Sequence, residues 1–211
     1  LKGDTLFGHF CWQASYDPSL VEGGLDKQIK LYKEKPFIIF SSAFPKIMDN
    51  SKEYYALKRP DMPLFMLFKP GKSRLENLKQ AKENKQKKWM LVEKNSSIDL
   101  ANVKFITEKQ LCEKIENKES EYITKSVSQQ HNTINRMTNT TGDNRFAPYS
   151  KENIYYKPGT LLSFFVLIDK KATDIERVVK GVQRIGSWGF GRDASTGLGR
   201  FQVIGSKKLI K

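Results

Sequence analysis

Gly186-Ser-Trp-Gly-Phe-Gly-Arg-Asp-Ala-Ser-Thr-Gly-Leu-Gly-Arg-Phe-Gln-Val203 follows a helical pattern, precedes a strand-like one, and carries five glycines and two arginines. Glycine accepts positive φ and lets backbone N–H groups approach a ligand closely. Successive N–H groups in such turns form an anion-binding concavity. Gly189, Phe190, Gly191, Gly197 and Gly199 shape the loop, Arg192 and Arg200 add charge, Ser195 and Thr196 add hydroxyl donors, and Asp193 sits among them. Spacing excludes two phosphate-binding motifs. A Walker A loop needs a lysine after its last glycine, and Leu198 follows Gly197; a dinucleotide fingerprint needs a third glycine where Ala194 stands, with the helix after the loop and not before it. A turn that serves packing alone is the remaining alternative, and it leaves the arginines unexplained.

Charge points the same way. The 211 residues hold 37 Lys+Arg against 23 Asp+Glu, a net charge of +14, which favours a polyanionic partner, nucleic acid first. A solvated lysine-rich surface or an acidic protein partner would share this composition. Hydrophobic residues at 38% and aromatics at 11% suffice for a packed core. No apolar run is long enough to span a bilayer; Leu161 to Ile168 is only strand-sized. Cys11 and Cys112 lack C-x-x-C spacing, so neither a disulfide framework nor a structural zinc site is expected, and a reducing cytoplasm is the expected compartment. The chain begins at Leu1 with no signal-peptide pattern, which suggests a trimmed N-terminus.

Along the chain, Asp4 or Thr5 is expected to cap a first helix whose buried face is Leu6, Phe7, Phe10, Cys11 and Ala14. Pro36 to Pro45 and Met62 to Phe68 read as strands, Lys72 to Lys88 as a solvated helix, and Trp89 to Val92 and Val103 to Ile106 as short strands. Thr107 caps a helix through Asn117, and residues 118 to 150 read as strand then long polar loop, before a strand at Asn153 to Tyr156. A buried strand from Leu161 to Ile168, a helix opened by Thr173 with Ile175, Val178, Val179, Val182 and Ile185 on one face, the glycine loop and a last strand at Phe201 to Ile204 complete the order. With a first strand upstream of Leu1 this is β-α-β-β-α-β, an α+β ferredoxin-like unit.

The glycine loop, G-x-G-R-D-x-S-T-G-x-G-R-F, resembles that of the RAMP superfamily of CRISPR-associated proteins. Gly3-Asp-Thr-Leu-Phe-Gly8 with Cys11-Trp12, Phe40-Ser-Ser-Ala-Phe-Pro45, and His131-Asn-Thr-Ile-Asn-Arg-Met-Thr-Asn-Thr-Thr-Gly142 followed by Phe146-Ala-Pro-Tyr149 resemble the Csm-type member that caps the guide-RNA 5′ tag in type III effector complexes. The resemblance implies a ferredoxin-like (RRM-like) RAMP fold with an antiparallel sheet over residues 1–211, a central insertion at about 46–150, and a second ferredoxin-like unit, if any, cut short. It implies a noncatalytic scaffold without cofactor or metal. The implied partners are the crRNA 5′ tag, the large polymerase-like subunit and backbone RAMP subunits. An endoribonuclease that processes CRISPR repeat RNA, using His9 or His131, is the alternative within the same superfamily.

A single-stranded tag calls for phosphate contacts, stacking and edge hydrogen bonds. Arg136 and Arg145 suit phosphate; Asn132 and Asn135 suit base edges; Thr138, Thr140 and Thr141 suit phosphate or 2′-OH; His131 suits either stacking or phosphate. A ligand-free surface loop of the same composition is the plain alternative. Phe190 stands as either a stacking platform or a plug for the core. Asp193 either fixes the loop or bonds a base, Trp188 and His9 are read as packed residues, and Lys2, Gly3 and Asp4 mark a helix N-terminus that phosphate could approach.

Overall fold

A computed structural model describes residues 1–49, 52–71, 73–94, 96–115, 122–142 and 146–209. The chain is α+β, with antiparallel sheets, and divides into two compact units: Leu1–Phe44 with Leu162–Lys211, and Pro45–Leu161. Among the described residues no helix is long and apolar enough to cross a membrane.

The first unit contains α1 (Gly3–Tyr16), a short 3-10 turn, α2 (Leu25–Leu31) and β1 (Ile38–Phe40) from the N-terminal segment. After the second unit, its C-terminal segment adds β9 (Val166–Ile168) and α6 (Ile175–Trp188). β1 pairs antiparallel with β9 in the register Ile38–Ile168, Ile39–Leu167, Phe40–Val166. The core is built from Leu6, Phe10 and Ala14 of α1, Phe37 and Ile38 at β1, and Val178, Val182 and Ile185 of α6, all buried. These positions recur at helical spacing, so one face of each helix is covered. The helices approach closely at Gly181, where a Cβ would fall 2.6 Å from the Phe10 ring.

The second unit contains β2 (Phe44–Asp49), β3 (Lys52–Lys58), α3 (Leu64–Leu67), α4 (Arg74–Gln86), β4 (Trp89–Glu93), β5 (Lys104–Ile106), α5 (Glu108–Glu113), β6 (Thr124–His131) and β7 (Tyr149–Tyr156). β8 (Leu161–Ser163) is the chain's passage out. Its sheet runs β5-β4-β3-β2, antiparallel throughout, over a core of Ile47, Ala56, Trp89, Leu91, Ile106 and Leu111. Glu53 bridges Lys46 at 3.1 Å and Lys94 at 2.7 Å across this sheet. A separate ribbon, β6 with β7, pairs eight residues from Thr124–Tyr156 to His131–Tyr149, almost all exposed.

Several local expectations are corrected. Met62 to Phe68 is not a strand. Pro63 sets the extended residue before the single-turn helix α3, and Phe65 and Met66 lie exposed; an apolar run alone does not distinguish strand from helix. Helix α1 starts one residue before its expected cap: Gly3 packs where a Cβ would fall 2.5 Å from the Phe40 carbonyl oxygen, so Lys2 takes the cap position. Thr173 does not cap α6. Its hydroxyl donates to the Leu20 carbonyl at 2.8 Å from a buried position, and Asp174 accepts the Arg177 N–H instead.

Leu161 to Ile168 divides into β8 and β9: the Phe165 carbonyl still accepts the Ser41 N–H at 2.9 Å, but the Phe165 N–H donates to the Ser41 hydroxyl at 2.8 Å and not to a backbone carbonyl. Phe201 to Ile204 is no strand; the Phe201 N–H donates to the Gly186 carbonyl, so the chain bonds the end of α6 and not a sheet edge. Thr107 does cap α5, in a reciprocal box with Gln110, but the helix ends at Glu113, and Asn117 lies outside the described residues. Strand β3 and helix α2 carry no clear periodic signature and were not anticipated.

The Gly181 contact gives a direct expectation. Gly181→Ala gains up to about 1 kcal/mol of helix preference, but overpacking against the buried Phe10 ring costs about 1–3 kcal/mol. A lowered urea midpoint, followed by the fluorescence of Trp12 and Trp188 in the same unit, is the expected outcome.

Candidate nucleic-acid interface

The glycine loop is a closed turn whose base is fixed and whose tip is open. At the base, the Gly189 N–H donates to the Ile185 carbonyl at 2.8 Å and the Phe190 N–H to the Gly199 carbonyl at 2.9 Å. The residues there must be glycine: a Cβ at Gly199 would fall 2.0 Å from the Phe190 carbonyl oxygen, and one at Gly186 would fall 2.2 Å from that of Phe201. Gly191 and Gly197 are different. Both hold positive φ, with open space where a side chain would begin. They shape the backbone at the tip without packing against anything.

At the tip, a single 3-10 turn (Ala194–Thr196) is held by the Asp193 carbonyl, which accepts the Thr196 N–H at 3.1 Å and the Thr196 hydroxyl at 2.8 Å. Thr196 is thereby committed to the turn through its hydroxyl, while Ser195 is exposed. Among the described residues the N–H groups of Arg192, Ser195 and Arg200 have no partner. The Arg192 side chain is 80% exposed and forms an ion pair with the Asp193 carboxylate at 3.6 Å, which exposure to water keeps weak. Arg200 is exposed, without an ion pair among the described residues. Two exposed arginines and three main-chain N–H groups without a partner among the described residues thus lie on one loop.

His9 fixes this loop to α1. Its Nε2 accepts the Gly191 N–H at 3.0 Å, and the Phe190 ring tilts against the imidazole at 5.3 Å. Phe190 also packs against the core of the unit. An accepting Nε2 is an unprotonated one, and partial burial pulls the His9 pKa below its ordinary 6.5. The imidazole therefore acts as a neutral anchor.

The same face of α1 carries aromatics that sequence reasoning passed over. Trp12 and Tyr16 follow His9 at helical spacing, with Trp12 and Tyr16 ring centroids 5.2 Å apart edge to face. Trp188, expected in the core, lies 65% exposed, its ring 6.4 Å from that of Trp12. The helix ends there, at the residue before the loop. The i, i+3, i+7 spacing of His9, Trp12 and Tyr16 was the available signal. At the start of α1, Gly3 is buried and its N–H donates to the Ser42 hydroxyl, and Asp4 accepts from Thr5, while Lys2 is exposed.

In the second unit, residues after β6 form a tight turn. Asn135 and Thr140 bridge, with N–H to carbonyl bonds of 3.1 Å from Asn135 to Thr140 and 2.7 Å from Asn139 to Asn135. The Asn135 side-chain oxygen accepts the Met137 N–H at 3.0 Å, and Asn139 holds φ 53. The hydroxyls of Thr138 and Thr140 share a hydrogen bond at 2.9 Å. Asn132, Arg136 and Thr141 are exposed, as is Met137 at 95%. His131 stacks on Tyr149 at 5.4 Å and 15°. Arg145 lies outside the described residues.

Compared with known proteins, the chain matches no family profile and no curated sequence.

The His9 anchor has a pH consequence. A depressed folded pKa means that the stabilisation is present above 6.5 and is lost as pH falls through the lowered folded value. The Gly191 amide should therefore lose hydrogen-exchange protection, after correction for intrinsic rate, as pH falls from about 7 to about 5. In His9→Phe that amide should be unprotected at both.

Proposed function

We propose that this chain is a noncatalytic guide-RNA-binding subunit of a type III CRISPR complex, a RAMP protein that grips the 5′ tag of crRNA and docks the large polymerase-like subunit. The observation that carries the RNA reading is the glycine loop, where Arg192 at the tip and Arg200 at the base are exposed beside main-chain N–H groups that have no partner among the described residues, on a chain of net charge +14. Donors held by a rigid turn suit phosphate, because they need no reordering when the anion arrives. The turn at Asn135–Thr140, with Arg136 exposed beside it, offers a second set of polar groups in the other unit. The ferredoxin-like RAMP assignment rests on the sequence resemblance. α1, α6 and the antiparallel pair β1 and β9 around one core are compatible with it.

For a noncatalytic role, the support is the state of the histidines. His9 Nε2 is occupied by the Gly191 N–H, and the His131 ring is stacked on Tyr149. The His131 Nε2 has no hydrogen-bond partner among the described residues, but it is closed off from solvent. Metal-independent cleavage of repeat RNA in EDTA that disappears in His9→Ala or His131→Ala would overturn this part.

Binding itself is tested with single-stranded repeat-derived RNA. If about five phosphates are neutralised, the logarithm of the association constant should fall with that of salt at a slope of about −3.5. Arg192→Ala and Arg136→Ala should each weaken binding and reduce the slope by about 0.7. A slope near zero, or unchanged affinity in both variants, would remove the assignment.

A further inference from the structure

We infer that the aromatic stripe Phe190–His9–Trp12–Trp188–Tyr16 is a base-stacking platform for single-stranded RNA leaving the glycine loop. This rests on the RNA reading above and extends it from phosphates to bases. The stripe lies wholly within the first unit, on α1, the end of α6 and the first residues of the loop. It begins at the loop, where the Phe190 and His9 rings touch at 5.3 Å, and continues along α1 through Trp12 to Tyr16. Trp188 stands against Trp12 and connects directly to Gly189. Trp12, Trp188 and Tyr16 are 46%, 65% and 73% exposed.

Large aromatics this exposed are costly to leave in water, and three of them in edge contact form one surface. Edge-to-face pairing at interplanar angles of 86° holds neighbouring rings perpendicular, so their faces point in different directions and can meet successive bases.

Electrostatics select nucleic acid over an acidic or apolar protein as the occupant. Arg192 and Arg200 lie at one end of the stripe, where they would hold the backbone. The carboxylate that adjoins Tyr16, Asp17, is kept ionised but neutralised: hydrogen bonds from Ser19 and Lys180, and a further one from Arg184 at 2.8 Å, hold its pKa far below the usual carboxylate value. The carboxylate nearest the far end of the stripe is therefore compensated by two cations. Basic charge that tracks a backbone beside aromatic faces is the general design of single-strand binding surfaces.

The chain has three tryptophans, and the third, Trp89, is buried in the second unit beneath the Lys58 ammonium. Quenching by a ligand at the stripe is thus expected at Trp12 and Trp188, over a background emission from Trp89. A short oligoadenylate, end-labelled for anisotropy, is titrated into the intact chain while tryptophan emission is recorded. Saturable quenching at the same concentration that raises the anisotropy is expected. Trp12→Leu and Trp188→Leu should each weaken binding about five- to a hundredfold, with little change in salt slope, because stacking releases no counterions. Bound RNA with unquenched emission, or full affinity in both variants, would overturn the platform while leaving RNA binding intact; that is also the outcome if the stripe docks a protein. No rise in anisotropy for the unaltered chain would remove the RNA reading itself, and the platform with it.

Discussion

The contact between Phe10 and Gly181 is the constraint from which the rest of the first unit follows. A ring on α1 occupies the volume that any side chain at 181 would need, and this lets α1 and α6 lie against each other over their whole buried faces. Because α6 is held there, it ends opposite the middle of α1, and the loop that leaves it meets His9. The imidazole then takes the Gly191 N–H, and the glycines at the loop base permit the backbone to double back at contact distance. Geometry that looks like a property of the loop is inherited from helix packing some residues earlier.

The division of labour among the glycines refines what such a loop is. Gly186, Gly189 and Gly199 are required by neighbouring backbone atoms within 2.5 Å of an added Cβ, and Gly189 and Gly199 also hold positive φ. Gly191 and Gly197 meet no neighbour and are required only by their positive φ. Close packing accounts for the glycines at the base of the loop, whereas those at its tip leave open space. Asp193 serves the turn through its carbonyl, and its carboxylate pairs weakly with Arg192.

Helices α1, α4, α5 and α6 and the short strands β4 and β5 were legible because periodic apolar residues and caps act locally: Thr107 with Gln110, and the buried stripe Val178, Val182, Ile185, need no distant partner to be recognised. What was not legible depended on contacts remote in the chain. Thr173 left its capping role for the Leu20 carbonyl, the Phe165 N–H bonded to the Ser41 hydroxyl, and Phe201 bonded to Gly186, each by a partner that sequence proximity does not reveal. Met62 to Phe68 failed differently, since its apolar content fits strand and helix equally and only Pro63 biases the choice. For the candidate site, the charged and glycine residues were visible as a cluster, whereas the anchoring role of His9 and the exposure of Trp188 required knowing where α6 stops.

The segmented layout of the first unit bears on how the chain acquires its structure. Strand β1 can find β9 only after the whole of Pro45–Leu161 has been synthesised, and each doubling of such an intervening loop adds only about 0.6 kcal/mol of closure entropy. The thermodynamic burden is small, but the kinetic order is strict. On the ribosome α1 and its apolar face must wait, uncovered, for α6 to emerge, while the second unit has all of its own core residues in hand and is free to condense first. Helix α1 therefore carries its apolar face uncovered for as long as the second unit is being synthesised.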